Sequence, residues 1–293
     1  MRPVCRRGRF GLRMQPMNLL PVAGGQLEYE LIDLTPAWEI DPPTVVFHHG
    51  IGADMGIWSA WLPLLSASFR LVRFSMRGFG GSTLPQSDFE WSLDSFTSDL
   101  IAVADATRSQ RFHLIAESFG GTIALNTSLQ QPGRVRSLTL LSTPHRGASV
   151  KPVAGWPELA ASPQGMRQWN DQMMTGRFGE GDLSPAALHW FRQVQERTDP
   201  AVLRNVAQLI SGIDLTPQLP RLETPVLLIS GDGSPYVGVA QVAALHKLLR
   251  ASQVYILPNA RHGIAFSHVS QCAQAFLTFA AAQSGFTPTL ETT

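Results

Sequence analysis

One serine stands at a change of pattern that is typical of a nucleophile. Residues 113 to 121 read HLIAESFGG, in which an apolar strand runs into Ser118 and two glycines open a helix. A sharp strand-to-helix turn lifts the serine Oγ clear of the sheet and tolerates only very small neighbours. Ala116 stands where a glycine is usual, and alanine is the least bulky substitute. The pattern predicts a nucleophilic Ser118, with the N–H of Phe119 at the helix start as an oxyanion donor.

Three further motifs accompany this turn. They are TVVFHHGIGAD at 44 to 54, FRLVRFSMRGFGGST at 69 to 83, and LPNARHGIAFSH at 257 to 268. Together with ESFGG and the segment IDLTPQLPRLETPVLLISG, they resemble the α/β-hydrolase superfamily. Within it, the chain is similar to the capped group that contains 3-oxoadipate enol-lactonase. The resemblance covers residues 25 to 283 and is specific as a set of motifs.

The resemblance implies roles for several residues. The backbone N–H of Ile51, just after a His-Gly pair, would be the second oxyanion donor. His262 stands where the superfamily places its general base, and the order of serine, acid and histidine agrees. His268, on the helix that follows, is the reserve. Arg77 is expected to be structural, although Ser75 replaces the aspartate that is usual two positions before it.

The sequence departs from the superfamily at the catalytic acid. Members place an aspartate three residues after the glycine that ends the penultimate strand, whereas PVLLISGDGSPYV at 225 to 237 has Ser234 there. Asp232 lies two residues earlier and is the candidate acid, if a rearranged loop brings it to His262. Two alternatives stay open, namely a Ser-His dyad with a neutral orienting group, and impaired or different chemistry. Asp232 could also be an ordinary turn residue beside a glycine.

Strand-like and helical segments alternate along the chain. Apolar runs such as VVF, HLIA and VLLI indicate strands buried on both faces. Their alternation with helices predicts an α/β fold with a mostly parallel central sheet and helices on both faces. Strands are expected near 27–32, 44–47, 70–74, 112–116, 137–142, 225–230 and 253–257, and helices near 58–66, 92–108, 120–131, 239–250 and 267–283.

The alternation breaks off in one long segment. No buried strand is found between 145 and 220, and the resemblance implies a helical cap over the nucleophile at 145–216. The hydrolase core then comprises 19–144 and 217–285. An arginine-rich leader at 1–18, predicted to be disordered, and a tail at 286–293 complete the chain.

The cap segment is rich in methionine and tryptophan. Such a lid suits a pocket that binds organic substrates and excludes water. Alternatively, these side chains only attach the cap to the core. The candidate substrate-binding residues are Trp156, Trp169, Met173 and Trp190.

Composition limits the classes of partner. With 23 basic and 22 acidic residues, the chain carries a net charge of +1, so neither nucleic acid nor an anionic membrane is expected. The arginines of the leader precede no apolar run, which predicts neither a secretory signal nor an anchor. Two cysteines, Cys5 and Cys272, indicate no disulfide framework or metal cluster. We expect a cytoplasmic protein, with apolar surface available for a homo-oligomer.

These observations lead to one reaction and two alternatives. The resemblance implies that Ser118, activated by His262, attacks an ester, thioester or lactone of a small organic substrate, and that water releases the acyl-enzyme. No metal or organic cofactor is needed. The first alternative is a lyase, decarboxylase or cofactor-free oxygenase on the same fold, which Ser234 in the acid position favours. The second is a non-catalytic binding protein, against which the intact Ser118 and His262 argue.

Overall fold

Eight strands form one sheet in this computed structural model, which describes residues 18–85 and 88–284. Residues 1–17 of the predicted leader, with Cys5, and the tail at 286–293 lie outside the described residues. The strands are β1 (Asn18–Val22), β2 (Gly25–Ile32), β3 (Thr44–His48), β4 (Arg70–Phe74), β5 (Phe112–Glu117), β6 (Val135–Leu141), β7 (Val226–Gly231) and β8 (Ser252–Leu257).

The sheet is parallel except at one edge. Its strand order is β1-β2-β4-β3-β5-β6-β7-β8, and all pairs from β4 to β8 run parallel. β1 and β2 are antiparallel to their neighbours. The predicted α/β fold with a mostly parallel sheet is confirmed. The sequence analysis missed β1, an edge strand that contains Pro21 and alternates between half-buried and exposed residues.

Helices cover both faces of the sheet because neighbouring residues of a buried strand point to opposite sides. On β3, Val46 joins one apolar cluster, to which α2, α3, α7 and α8 contribute, whereas Val45 and Phe47 join a second cluster with α10. The helices are α1 (Leu62–Leu65), α2 (Leu93–Ala106), α3 (Phe119–Gln130), α4 (Trp156–Leu159), α5 (Pro163–Arg177), α6 (Pro185–Glu196), α7 (Pro200–Gly212), α8 (Val239–Leu248), α9 (Ile264–Ser267) and α10 (Val269–Ser284).

The chain between β6 and β7, all of it described, carries α4 to α7 and no strand. Three of these helices begin in the same way, with a capping side chain followed by proline at the first helical position. Ser162, Ser184 and Asp199 each accept a hydrogen bond from a backbone N–H of the first turn. The limits of this cap as a unit stay a prediction. No described helix is long and apolar enough to cross a membrane.

The Arg77 side chain makes hydrogen bonds within the protein, as expected for a structural role. Its Nε and Nη2 donate to the two carboxylate oxygens of Asp99 on α2 at 2.9 and 2.6 Å, and Nη1 donates to the Ala23 carbonyl. Both side chains of the pair are almost fully buried. Ser75, in place of the usual aspartate, donates to Glu28 instead. Asp99 therefore supplies the carboxylate that holds this guanidinium.

We expect Asp99→Ala to lower the free energy of unfolding by about 3–5 kcal/mol, because it leaves the buried Arg77 charge unpaired. The double variant Arg77→Met/Asp99→Leu removes both charges and should be closer in stability to the wild type. Urea denaturation of the three proteins measures the difference. Equal losses in the single and double variants would contradict this view of the pair.

Four histidines have 2% or less of their surface exposed, namely His48, His49, His113 and His262, and a fifth, His145, is buried at 8%. Burial lowers the pKa of His48 and His262 to about 3. It lowers the pKa of His49 and His113 to about 4. All four side chains are therefore neutral at neutral pH, whereas the unfolded chain titrates them near the ordinary histidine pKa of about 6.5.

This difference predicts acid sensitivity. Between pH 6.5 and about 4 the unfolded state binds up to four more protons than the folded state at these histidines, so stability rises with pH across this window. Each histidine contributes up to about 1.4 kcal/mol per pH unit. Urea denaturation at several pH values should show that the free energy of unfolding falls on acidification. His113→Asn should reduce the slope of this free energy against pH by about 1.4 kcal/mol per pH unit, which corresponds to one proton. A free energy independent of pH would refute the prediction.

Candidate active site

Ser118 lies at a strained turn between β5 and α3. Its φ of 53° and ψ of −122° belong to a region that residues other than glycine rarely adopt. The turn is held by the sheet, because the Ser118 N–H donates to the Leu141 carbonyl at 2.8 Å. Ser118 Oγ lies 2.9 Å from Nε2 of His262. The predicted nucleophile and the predicted base are thus within hydrogen-bonding distance.

The loop after β3 lies directly against this turn. A Cβ placed on Gly50 would lie 3.0 Å from the Ser118 Cβ, and one placed on Gly120 would collide with the His49 carbonyl oxygen. Both positions therefore require glycine for close approach of two backbones. Ala116, at the position where a glycine is usual, is fully buried within β5, opposite His48 in the register of β3.

Three contacts fix the position of His262. Its backbone N–H donates to the Gly176 carbonyl at 3.3 Å, and the ring of Tyr236 meets the imidazole edge-on with centroids 4.9 Å apart. Nδ1 lies 3.1 Å from the hydroxyl of Ser234. His268, the reserve, has its Nδ1 2.8 Å from Ser267 Oγ instead.

Ser234 takes the place that was predicted for Asp232. The Asp232 side chain is exposed and has no hydrogen bond with His262 among the described residues. The turn after β7 explains this, since the N–H of Gly233 donates to the Ala260 carbonyl at 3.0 Å and Ser234 is directed inward. Ala260 belongs to the neighbouring histidine loop, and the sequence around Asp232 does not reveal that this loop contacts the turn.

The neutral partner leaves the imidazole tautomer open. The Ser234 hydroxyl accepts from the Val237 N–H at 3.1 Å and retains both a lone pair and a proton for His262 Nδ1. A carboxylate can only accept, and it would fix the Nδ1–H tautomer that leaves Nε2 free to take a proton from Ser118. Burial, followed by the charge of Arg177, lowers the pKa of His262 to about 3 and keeps the ring neutral.

The peptide between Gly50 and Ile51 is oriented by His49. The Met76 N–H donates to His49 Nε2 at 2.8 Å, so Nδ1 carries the proton and donates to the Gly50 carbonyl at 2.7 Å. The N–H of Ile51 belongs to the same peptide. Phe119 is the first residue of α3, so its N–H has no partner within the helix. Both residues line the cavity at Ser118.

A buried ion pair lies behind this loop. Arg177, the last residue of α5, donates through Nη1 to Oε1 of Glu117 at 2.9 Å and through Nη2 to the carbonyl of Ile51. Oε2 of Glu117 accepts from the Gly50 N–H at 3.1 Å. Exposure of the two side chains is 0% and 2%. The sequence analysis missed both residues, although an acid in an otherwise apolar buried strand implies a buried partner.

The cavity in front of Ser118 is small and carries no formal charge. Its volume is about 20 Å³, room for about one water molecule. Of the four predicted substrate-binding residues, Trp156 and Met173 line it. Its lining consists of Ile51, Ser118, Phe119, Pro144, Val150, Val153, Trp156, Met173, Ile210, Tyr236, Val237 and His262.

The other two predicted residues lie outside this lining. Trp169 packs edge-on against Trp156, with ring centroids 6.1 Å apart, and Trp190 stacks on Phe266. They attach the cap to itself and to the core, which was the alternative role for these aromatics. Across residues 18–85 and 88–284, no group of three or more His, Cys, Asp or Glu side chains could hold a metal ion.

Comparison with known proteins identifies the family of the chain. The chain is 30% identical to a pimeloyl-[acyl-carrier protein] methyl ester esterase of Aeromonas salmonicida, over 78% of this chain and 92% of the esterase. It is 22% identical to 3-oxoadipate enol-lactonase 1 of Acinetobacter baylyi, over 73% of this chain and 80% of the lactonase. The crystal structure of the enol-lactonase from Burkholderia xenovorans superimposes with a TM-score of 0.81 at 23% identity, over 90% of this chain and 100% of the other. The family model described as alpha/beta hydrolase fold matches residues 43–269. The predicted superfamily is confirmed, and the chain belongs to the alpha/beta hydrolase fold family.

Proposed function

We propose that this hydrolase cleaves an ester or lactone of a small organic molecule through an acyl-enzyme on Ser118. The observation that carries the proposal is the 2.9 Å approach of Ser118 Oγ to His262 Nε2, at a strained turn that faces an apolar cavity. The named relatives, an esterase and an enol-lactonase, support a carbonyl substrate. We further propose that the protein acts in the cytoplasm, with a small molecule as its partner.

The first step is attack on the carbonyl. Neutral His262 accepts the Ser118 proton at Nε2 while Oγ bonds to the carbonyl carbon, which places a negative charge on the carbonyl oxygen. The N–H groups of Ile51 and Phe119 are positioned to stabilise that oxyanion. The tetrahedral intermediate collapses to the acyl-enzyme, and His262 returns its proton to the leaving alcohol oxygen.

The second step repeats the first with water. His262 removes a proton from water, the hydroxide attacks the acyl carbon, and Ser118 leaves with the proton from Nε2. Because burial lowers the pKa of His262 to about 3, the ring is neutral before the reaction, but formation of the imidazolium is unfavourable. A carboxylate at Nδ1 would ease that step, so Ser234 in its place favours slow turnover.

The cavity lining indicates the class of substrate. None of its side chains carries a formal charge near neutral pH, so an anionic group close to the scissile carbonyl would be desolvated without a partner. We therefore propose that the groups flanking the carbonyl are neutral and apolar. The cavity of about 20 Å³ must widen for any substrate, which requires movement of cap residues such as Trp156.

Ser118→Ala should abolish covalent labelling by a fluorophosphonate and lower turnover of p-nitrophenyl butyrate by at least about 10³-fold, because it removes the nucleophile. Mass spectrometry of the labelled wild type should place the adduct on Ser118. Ser128→Ala is a matched control, since Ser128 is a buried serine in α3, the helix that begins directly after Ser118. Retained turnover in Ser118→Ala would favour the non-hydrolytic alternatives.

Substitutions at the acid position separate Ser234 from Asp232. We expect Asp232→Asn to change kcat/KM by less than about twofold, since its carboxylate does not contact His262. Ser234→Asp should raise kcat about tenfold or more and raise the pKa of His262, because a triad acid contributes up to about 10⁴-fold. Kinetics across a pH series measure both effects. A large loss in Asp232→Asn would show that the loop rearranges during catalysis.

A further inference from the structure

We propose that Arg177 of the cap is a positioning residue for the oxyanion hole, acting through Glu117 and the Ile51 carbonyl. The inference rests on the proposed function, in which the Ile51 N–H stabilises the oxyanion. Arg177 contacts none of the reacting atoms. Its guanidinium joins the cap, the strand before the nucleophile and the oxyanion loop.

The contacts enclose the Ile51 N–H on both sides. One residue before it, the Gly50 N–H donates to Oε2 of Glu117 at 3.1 Å. Immediately after it, the Ile51 carbonyl accepts from Arg177 Nη2. Arg177 Nη1 and Glu117 Oε1, 2.9 Å apart, close the network. Besides His49, which orients this peptide through the Gly50 carbonyl, two anchors that meet in one ion pair therefore hold the Ile51 N–H from both sides.

The backbone of the same cap segment holds the catalytic base. The Gly263 N–H donates to the Arg177 carbonyl at 2.9 Å, and the His262 N–H donates to the Gly176 carbonyl at 3.3 Å. The guanidinium also lies over the ring of Phe191 in α6, 5.3 Å from its centroid. Displacement of this end of α5 would therefore release the oxyanion loop and the histidine loop together.

Stability alone does not account for this pair. Two apolar side chains of similar volume often replace a buried ion pair without loss of stability. We therefore attribute the two charges to the hydrogen bonds that they make with the Gly50 N–H and the Ile51 carbonyl. The pair Arg77–Asp99 provides the comparison, because it is buried to a similar degree but its remaining hydrogen bond goes to the Ala23 carbonyl. Removing that pair tests burial without touching the oxyanion loop.

The test uses the rate constant for labelling of Ser118 by a fluorophosphonate. Attack on the phosphorus places negative charge on the phosphoryl oxygen, so the rate reports on the oxyanion hole and needs no known substrate. In Glu117→Gln/Arg177→Met, which leaves no unpaired charge, the rate should fall about 10²-fold, as for loss of one oxyanion donor. With p-nitrophenyl butyrate, kcat should fall and KM should stay within about threefold.

Two further variants separate positioning from general destabilisation. Arg177→Lys should give an intermediate rate, because an ammonium provides charge but not the planar fork that spans two acceptors. In Arg77→Met/Asp99→Leu, Ser118 should be labelled at the wild-type rate, even if the folded variant is less stable than the wild type. Urea denaturation of all variants shows that each is folded in the assay.

A second measurement does not depend on chemistry. Amide hydrogen exchange at residues 49–53 should be faster in Glu117→Gln/Arg177→Met than in the wild type, and unchanged in Arg77→Met/Asp99→Leu. Wild-type labelling and exchange rates in the Glu117→Gln/Arg177→Met variant would overturn the inference. A wild type that is not labelled at Ser118 would instead overturn the proposed function, and exchange alone would then decide whether Arg177 positions the loop.

Discussion

The burial of one guanidinium constrains the whole active site. Arg177 cannot lose its proton, and an unpaired charge in the interior costs several kcal/mol, so its acceptors must stay in place. Those acceptors are the side chain of Glu117, next to the nucleophile, and the backbone of Ile51. Hydrogen bonds to one guanidinium thereby join three segments that are far apart in the sequence. The strained φ of 53° at Ser118 lies beside this network, at a turn whose N–H is bonded to the sheet.

Most of the fold could be predicted because each buried parallel strand is a short apolar run in the sequence. The features that were not predicted depend on tertiary packing. β1 is an edge strand, half exposed and interrupted by Pro21, and its pattern resembles a loop. A helix was expected near 58–66, and the structure has a 3₁₀ helix at residues 55–61 followed by α1. Trp58 and Trp61 are both fully buried, and their spacing of three matches one 3₁₀ turn.

The site was predictable where one local motif specifies a conformation. Ser118, Phe119, Ile51 and His262 meet at the cavity as expected. The first three follow the buried strands β3 and β5, and His262 follows the edge strand β8, whose apolar run is also visible in the sequence. Choices made by tertiary contacts were not visible. The turn after β7 is directed by the Ala260 carbonyl of another loop, which brings Ser234 rather than Asp232 to the histidine. The local sequence likewise does not reveal which of the three cap tryptophans, each on a different helix, faces the cavity.

The cap contains two kinds of residue with different freedom to vary. Val150, Val153, Trp156 and Ile210 meet the cavity through apolar surface, and their size and shape can change while the polar network behind the loop stays intact. The last turn of α5 has no such freedom, since its side chain and its carbonyls hold two loops at once. Substitutions among the apolar side chains around the cavity can therefore broaden or narrow the substrate range of this protein. They leave the residues that break the bond unchanged.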